Sequence, residues 1–175
     1  VLPEGAEGVG LVRTELVFAA HESSPDEHQQ ASALVTIVRR ARGAVVVARL
    51  FDAGGDKPLP WLPPPEGDPD ARGVALLLHH PEVLRTQLRA LGRAALSGDV
   101  RALVPLVRSA SDMDLVRREA PAGLKIGAMI ETPEAVGDVD SIARSSDFLS
   151  IGTNDLTAAV LGASREKGTL EPDER

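Results

Sequence analysis

Five short apolar runs recur along the chain, with more polar stretches between them. They occupy residues 8–15, 44–52, 101–107, 125–133 and 147–155. Each run is almost continuously apolar, whereas a strand with one solvated face alternates apolar and polar residues. Continuous runs of this length are typical of strands that are buried on both faces of a parallel sheet. The pattern therefore predicts five parallel strands in an α/β fold.

Helices are predicted between several of these strands. The segment 24–42 has Ser24 as a candidate N-cap and Pro25 at the first helical position, followed by an acidic first turn and a basic end. That order of charges complements the helix dipole. Three further helices are predicted, over 81–98, 111–120 and 132–146. Strands that alternate with helices indicate parallel β/α units.

The segment 54–73 interrupts this alternation. Its sequence, GGDKPLPWLPPPEGDPDARG, is dense in glycine and proline, which predicts a long loop. Ordered loops of this length are usually functional in such folds, although a loop that only spans one end of the fold remains an alternative.

Charged and amide side chains gather where the apolar runs stop. The first two runs end in an arginine and a carboxylate each, and the last two end in carboxylates and an amide: Arg13 and Glu15, Arg49 and Asp52, Glu131, Asn154 and Asp155. In parallel β/α folds the carboxyl ends of the strands share one face, where binding and catalysis concentrate. Guanidinium groups bind phosphate, and paired carboxylates hold Mg²⁺. Salt bridges for the arginines, and a helix N-cap for Asn154 or Asp155, are the alternatives.

Composition narrows the classes of function. The chain has 175 residues, which suits one domain, and 43% of them are hydrophobic. A net charge of −7 does not favour nucleic-acid binding, which needs a basic surface. Without cysteine there is no disulfide framework or thiolate zinc site. No apolar stretch approaches the roughly 20 residues of a membrane helix. We therefore expect no nucleic-acid partner and no membrane partner.

Four motifs give the chain a family resemblance. EGVGLVRTE, GGDKPLPWLP, MIETPEA and DFLSIGTNDLT resemble the C-terminal phosphoenolpyruvate (PEP)-binding domain of enzyme I, the PEP–protein phosphotransferase of the bacterial sugar phosphotransferase system. The resemblance covers almost the whole chain in order. It implies a (β/α)₈ TIM-type barrel of the PEP/pyruvate class and a cytoplasmic protein. The implied reaction transfers the phosphoryl group of PEP to a histidine on a separate domain and releases pyruvate.

The resemblance also assigns residues. It implies that PEP is bound by Arg13, Arg49, Arg72, Asn154 and Arg165. It implies that Glu131 and Asp155 bind Mg²⁺. None of the four histidines matches the family's acceptor, and the family's proton-donor cysteine has no counterpart, so no catalytic residue is expected in this chain. The implied partners are the phosphohistidine domain, a small histidine-containing phosphocarrier protein and a second copy in a homodimer.

The chain is shorter than a complete barrel of this class. A (β/α)₈ barrel needs about 250 residues and eight strands, whereas five strands are predicted here. We therefore expect residues 1–175 to form a partial PEP-utilising barrel domain. Two alternatives remain open: a non-catalytic fragment or divergent remnant of that domain, and a barrel of the pyruvate phosphate dikinase or PEP synthase type.

Overall fold

Five parallel strands form one sheet in the computed structural model, which describes residues 2–54 and 58–162. The strands are β1 (Gly8–Arg13), β2 (Val45–Arg49), β3 (Val100–Val104), β4 (Lys125–Ile130) and β5 (Phe148–Ile151). Their order in the sheet is their order in the chain, and every neighbouring pair is parallel. Stepwise order of this kind is how a β/α barrel is built. The prediction of an incomplete TIM-type barrel is therefore confirmed.

Helices connect the strands. They are α1 (Thr14–Val17), α2 (Glu27–Arg40), α3 (Gly73–His79), α4 (Pro81–Ala95), α5 (Ala110–Glu119), α6 (Pro133–Gly137), α7 (Val139–Arg144) and α8 (Thr153–Leu161). The core lies between the sheet and these helices. Alanines at the sheet, such as Ala48, Ala102 and Ala128, are fully buried. Large leucines of α4, including Leu88 and Leu91, are fully buried in the same core.

The helix boundaries differ from the predictions in three places. The predicted N-cap at Ser24 is wrong, because Asp26 caps α2. The Asp26 carboxylate accepts from the Gln29 backbone N–H at 2.7 Å, and the Gln29 side chain accepts from the Asp26 N–H at 2.9 Å. This reciprocal pair satisfies two donors at once and places the start of α2 at Glu27. The single helix over 132–146 is two helices, α6 and α7, and three helices were not predicted: α1, α3 and α8.

Burial on both faces holds for β4 and fails for the two edge strands, β1 and β5. Every residue of β4 after Lys125 is buried. In β5, by contrast, Leu149 is 39% exposed and Ile151 is 70% exposed. The physical reason is position, since β5 has one neighbouring strand among the described residues and its apolar side chains lack a second layer.

The proline-rich loop is attached to the carboxyl ends of the strands. The Trp61 ring meets the buried Phe51 ring edge to face, with 5.2 Å between the ring centroids. His80, which precedes α4, places its Nε2 2.8 Å from the carbonyl oxygen of Pro63. Residues 58–72 therefore cover the barrel end at β2 as an ordered segment.

We expect the isolated 175 residues to self-associate. Strands β1 and β5 each expose an unpaired edge within the described parts of the chain, and such edges pair with other chains. Light scattering after size exclusion should give a mass above the 18.4 kDa of one chain, rising with concentration. Leu149→Lys should lower that mass, because lysine protects edge strands. Leu96→Lys is the matched control, since Leu96 is 89% exposed and follows α4, outside the sheet. A monodisperse monomer that unfolds cooperatively at high temperature would contradict the expectation.

Candidate functional site

One cavity opens at the carboxyl ends of the strands. Its volume is about 530 Å³, and the residues around it come from β1, β2, β4, β5 and the start of α8. The lining residues are Leu11, Arg13, Arg49, Met129, Glu131, Ile151, Gly152, Thr153, Asn154 and Asp155. The fold thus brings five of the seven sequence-predicted site residues around one space. Arg72 is not a lining residue, and Arg165 lies outside the described residues.

Two arginines form the basic side of the cavity. Arg13 and Arg49 end neighbouring strands and are partners in the β1–β2 register. The Arg13 side chain is 42% exposed, whereas Arg49 is only 5% exposed. The two therefore differ in role: Arg13 reaches toward solvent, and Arg49 is a fixed, desolvated cation.

Two buried carboxylates hold Arg49 in place. Its Nη2 donates to Glu15 Oε1 at 2.6 Å and lies 2.9 Å from Asp52 Oδ2. Glu15 Oε1 also accepts from Arg13 Nε at 3.0 Å, so one carboxylate joins both arginines. Buried charges persist only when paired in this way. The salt bridges considered as an alternative for these arginines are therefore present, and the same two arginines line the cavity.

Arg49 retains donor capacity toward a ligand. Its Nε–H is buried and has no hydrogen-bond acceptor within residues 2–54 and 58–162. A buried donor without an acceptor is costly, and such exceptions need an explanation. Because this atom is buried, a ligand oxygen reaches it only if the cavity wall rearranges.

Arg72 lies behind this group. It precedes α3, and its Nη2 is 3.9 Å from Asp52 Oδ1. Because Asp52 also pairs with Arg49, the positive charge of Arg72 acts on the same ion-pair network from outside the cavity lining. The family resemblance grouped Arg72 with the PEP-binding residues, and in the structure Asp52 lies between Arg72 and Arg49.

Glu131 and Asp155 form the acidic side. Glu131 follows β4 and is 3% exposed, and its Oε1 accepts from the Leu106 backbone N–H at 2.8 Å. The pKa of Glu131 is raised to about 7, mainly by burial. The negative charges of Asp155 and Asp52 contribute to the rise, and the Leu106 N–H and Arg49 oppose it. The two carboxylates therefore repel each other in the absence of a cation.

A glycine makes room for the Glu131 carboxylate. A Cβ at Gly152 would lie 2.6 Å from both the Cβ and the Oε2 of Glu131. Gly152 is also the residue that precedes α8, which places Asn154 and Asp155 in the first turn of that helix. The predicted N-cap role for Asn154 or Asp155 is therefore wrong. Acidic groups in a first turn are nevertheless favoured by the helix dipole.

Sequence reasoning missed the supporting residues. Glu15 and Asp52 were noted at the strand ends, yet no role in holding Arg49 was assigned to them. Their signal was present, because carboxylates two and three residues from an arginine at neighbouring strand ends are natural partners. Gly152 carried no signal of its own, since its role depends on a side chain of another strand.

The donor set limits what metal the cavity can take. Across the described residues, no group of three or more His, Cys, Asp or Glu side chains is arranged to hold a metal ion. A metal held by Glu131 and Asp155 would need further ligands from water or substrate, and Mg²⁺ usually keeps such ligands in proteins.

Among the described residues, no helix has the length and apolar character to cross a bilayer.

Comparison with known proteins identifies the family. The profile of the family described as "PEP-utilising enzyme, PEP-binding domain" matches residues 1–172. The chain is 40% identical over 172 residues to a multiphosphoryl transfer protein of Rhodobacter capsulatus, covering 92% of this chain and 21% of that protein. It is 40% identical over 175 residues to a phosphoenolpyruvate–protein phosphotransferase of Streptomyces coelicolor, covering 95% of this chain and 32% of that protein.

A third relative shows a similar identity and a similar coverage of both chains. A phosphoenolpyruvate–protein phosphotransferase of Geobacillus stearothermophilus is 38% identical over 181 residues, covering 94% of this chain and 31% of that protein. The chain thus spans about a fifth to a third of the length of these curated relatives. The family resemblance predicted from the four motifs is confirmed. The chain belongs to the family of PEP-utilising enzymes, as a PEP-binding domain.

Proposed function

We propose that this chain binds PEP and Mg²⁺ in the cavity at its strand ends, as the PEP-binding part of a phosphoenolpyruvate–protein phosphotransferase. The observation that carries the proposal is the division of one cavity into a basic side, Arg13 and Arg49, and an acidic side, Glu131 and Asp155. Arginines suit the phosphate and carboxylate of PEP, and the carboxylates suit a divalent cation.

Charge balance supports a cation in addition to PEP. The charged residues of the cavity lining are two arginines and two carboxylates, which cancel when Glu131 is ionised. PEP carries a phosphate and a carboxylate, so its charge would be uncompensated in a neutral cavity. A divalent cation supplies the missing positive charge, and it also relieves the repulsion that raises the pKa of Glu131.

The residues divide the work of binding. The guanidinium groups of Arg13 and Arg49 donate to phosphate oxygens, and Glu15 and Asp52 keep Arg49 from moving. The exposed amide of Asn154 donates to a further ligand oxygen. The backbone N–H of Leu106 fixes the orientation of Glu131. These groups are positioned before the ligand arrives, which is the main protein contribution to phosphoryl transfer.

Mg²⁺, when bound by Glu131 and Asp155, would neutralise negative charge on ligand oxygens.

The acceptor of the phosphoryl group is a histidine on a separate domain, which then passes it to a small histidine-containing phosphocarrier protein. Arg72 and Arg165 act as further positive groups toward PEP, and residues 1–175 make up a partial barrel domain. The setting is the cytoplasm and the oligomer is a homodimer. The family resemblance and the names of the relatives support this assignment.

Removing one charge from either side of the cavity should weaken PEP binding. For Arg13→Ala and Glu131→Gln we expect a loss of roughly tenfold to a hundredfold in affinity, the usual value of a hydrogen bond to a charged group. Isothermal titration with PEP and Mg²⁺ measures it. Arg101→Ala is the control, because Arg101 is comparably exposed and pairs with Asp99 at the start of β3. Equal affinity in all four proteins would remove the proposal. Absence of binding in the unaltered, folded chain would instead favour the non-catalytic remnant.

A methyl group at position 152 should remove the metal response without changing any charge. In Gly152→Ala the new Cβ would displace the Glu131 carboxylate, because the two groups would be 2.6 Å apart. We expect PEP affinity in the presence of Mg²⁺ to fall roughly tenfold, by the same measure of a lost charged contact. Gly137→Ala is the matched control, since a Cβ there meets nothing within 4 Å. Unchanged Mg²⁺ dependence in Gly152→Ala would show that Glu131 is not a ligand in this conformation.

Mg²⁺ affinity should increase as the pH rises through about 7. The pKa of Glu131 is raised from 4.5 to about 7, mainly by burial, so below pH 7 a proton competes with the cation for this carboxylate. Titrations of Mg²⁺ at pH 6 and pH 8 measure the difference. Glu119→Gln removes a carboxylate that pairs with Arg85 outside the cavity, and it should leave the pH dependence unchanged. A flat profile in the unaltered chain would contradict the assignment of Glu131.

A further inference from the structure

A buried glutamine links the outer helix α4 to the strand ends. Gln87 is 0% exposed, on a helix face that otherwise buries aliphatic side chains such as Leu84 and Leu88. Its Oε1 accepts from the Phe51 backbone N–H at 3.0 Å, and its Nε2 donates to Thr14 Oγ1 at 3.0 Å. A buried amide is costly unless it is bonded in this way. Aliphatic packing alone does not explain why an amide lies on this buried helix face.

The link continues to Arg49 itself. Thr14, which is also fully buried, donates its hydroxyl to the carbonyl oxygen of Arg49 at 2.6 Å. Gln87 therefore holds the Phe51 backbone directly and the Arg49 backbone through Thr14. These bonds join the segment after β1 to the segment after β2.

The bonded positions flank the groups that bind the arginines. Thr14 stands between Arg13 and Glu15 in the chain, and Phe51 stands directly before Asp52. Glu15 and Asp52 are the two carboxylates that pair with Arg49. Holding Thr14 and Phe51 therefore fixes the backbone from which those carboxylates extend.

The β1–β2 ladder does not fix this geometry alone. Its register shifts between Val9 and Val12: Val9 pairs with Val46, and Val12 pairs with Ala48. Such an irregularity inserts one extra residue, and it changes the direction of the strand that follows. The register of Arg13 with Arg49 comes after this shift, where the bonds of Gln87 and Thr14 act.

We propose that Gln87, through Thr14, is a positioning residue that sets the distance between Arg13 and Arg49 for the phosphate of PEP. The inference rests on the proposed function. Neither Gln87 nor Thr14 lines the cavity, and neither carries a charge, so their effect is on geometry alone. Misplacement of a binding group by about 1 Å is sufficient to cost large factors in a site of this kind.

The chain offers a matched control for this role. Gln30 is also 0% exposed and lies on the neighbouring outer helix α2. Its Nε2 donates to the Pro25 carbonyl at 2.8 Å, in the segment that precedes its own helix. Gln30→Met and Gln87→Met therefore each remove one buried amide. The amide of Gln30 is bonded through its Nε2 alone, at its own helix start, whereas the amide of Gln87 is bonded through both polar atoms to the strand ends.

The first experiment measures stability and affinity separately in the full chain. PEP affinity with Mg²⁺ is titrated at a temperature at which thermal unfolding shows every variant to be folded. We expect Gln87→Met and Thr14→Val each to weaken PEP binding by roughly tenfold or more. Gln30→Met should leave the affinity unchanged, because the Gln30 amide is bonded at the start of its own helix and not to the strand ends. Thr14→Ser keeps the hydroxyl and should bind PEP with the affinity of the unaltered chain. The double variant Thr14→Val with Gln87→Met should bind PEP no more weakly than the weaker single variant, because both changes remove the same link.

The second experiment needs no ligand and separates this inference from the proposed function. Side-chain N–H resonances of Arg13 and Arg49 are recorded by NMR in the ligand-free chain. We expect them to shift or broaden in Gln87→Met and to stay in place in Gln30→Met. If the unaltered chain fails to bind PEP while these resonances respond as expected, the proposed function is lost and the positioning link stands. If the resonances and the affinity of Gln87→Met match those of Gln30→Met, Gln87 is only a structural residue and the inference is overturned.

Discussion

The desolvated guanidinium of Arg49 is the group around which the basic side of the cavity is organised. Transfer of such a cation out of water is costly, and the two carboxylates that compensate for it come from different strand ends. Glu15 follows β1 and Asp52 follows β2, so the pairing requires these strands to be neighbours with their ends at one level. The ion pairs therefore make the position of Arg49 depend on the sheet.

The acidic side is built from the opposite edge of the same sheet. Glu131 follows β4, and Asp155 lies in the helix after β5, whereas the central strand β3 contributes no charged residue to the cavity lining. The segment after β3 contributes a backbone donor instead, the Leu106 N–H, which orients Glu131. The strand between the two signs, β3, places no charged side chain in the cavity lining. The cavity can therefore attract an anion and a cation at once.

Local features were predictable where a local cause decides them. Four of the five strands lie within their predicted runs, and β3 begins one residue before its run, at Val100. The helix α4 begins at Pro81 because proline lacks the N–H that a first turn leaves unpaired. The break between α6 and α7 was not predictable. It occurs at Asp138, whose carboxylate accepts from the Ala110 N–H of α5, a contact across 28 residues. The exposure of Ile151 in β5 was likewise decided by sheet position rather than by residue type.

The sequence by itself determined which chemical groups stand at the strand ends, because the end of an apolar run and the direction of the chain are local properties. It thereby indicated Arg13, Arg49, Glu131, Asn154 and Asp155, and the motifs around them indicated the family. Only the tertiary structure decided how these groups are used. It separated Arg72 from the cavity lining, paired Arg49 with Glu15 and Asp52, and placed Gln87 beside Thr14, 73 residues away. The physical reason is that distances across such separations are set by strand order, register and helix packing, which no short segment specifies.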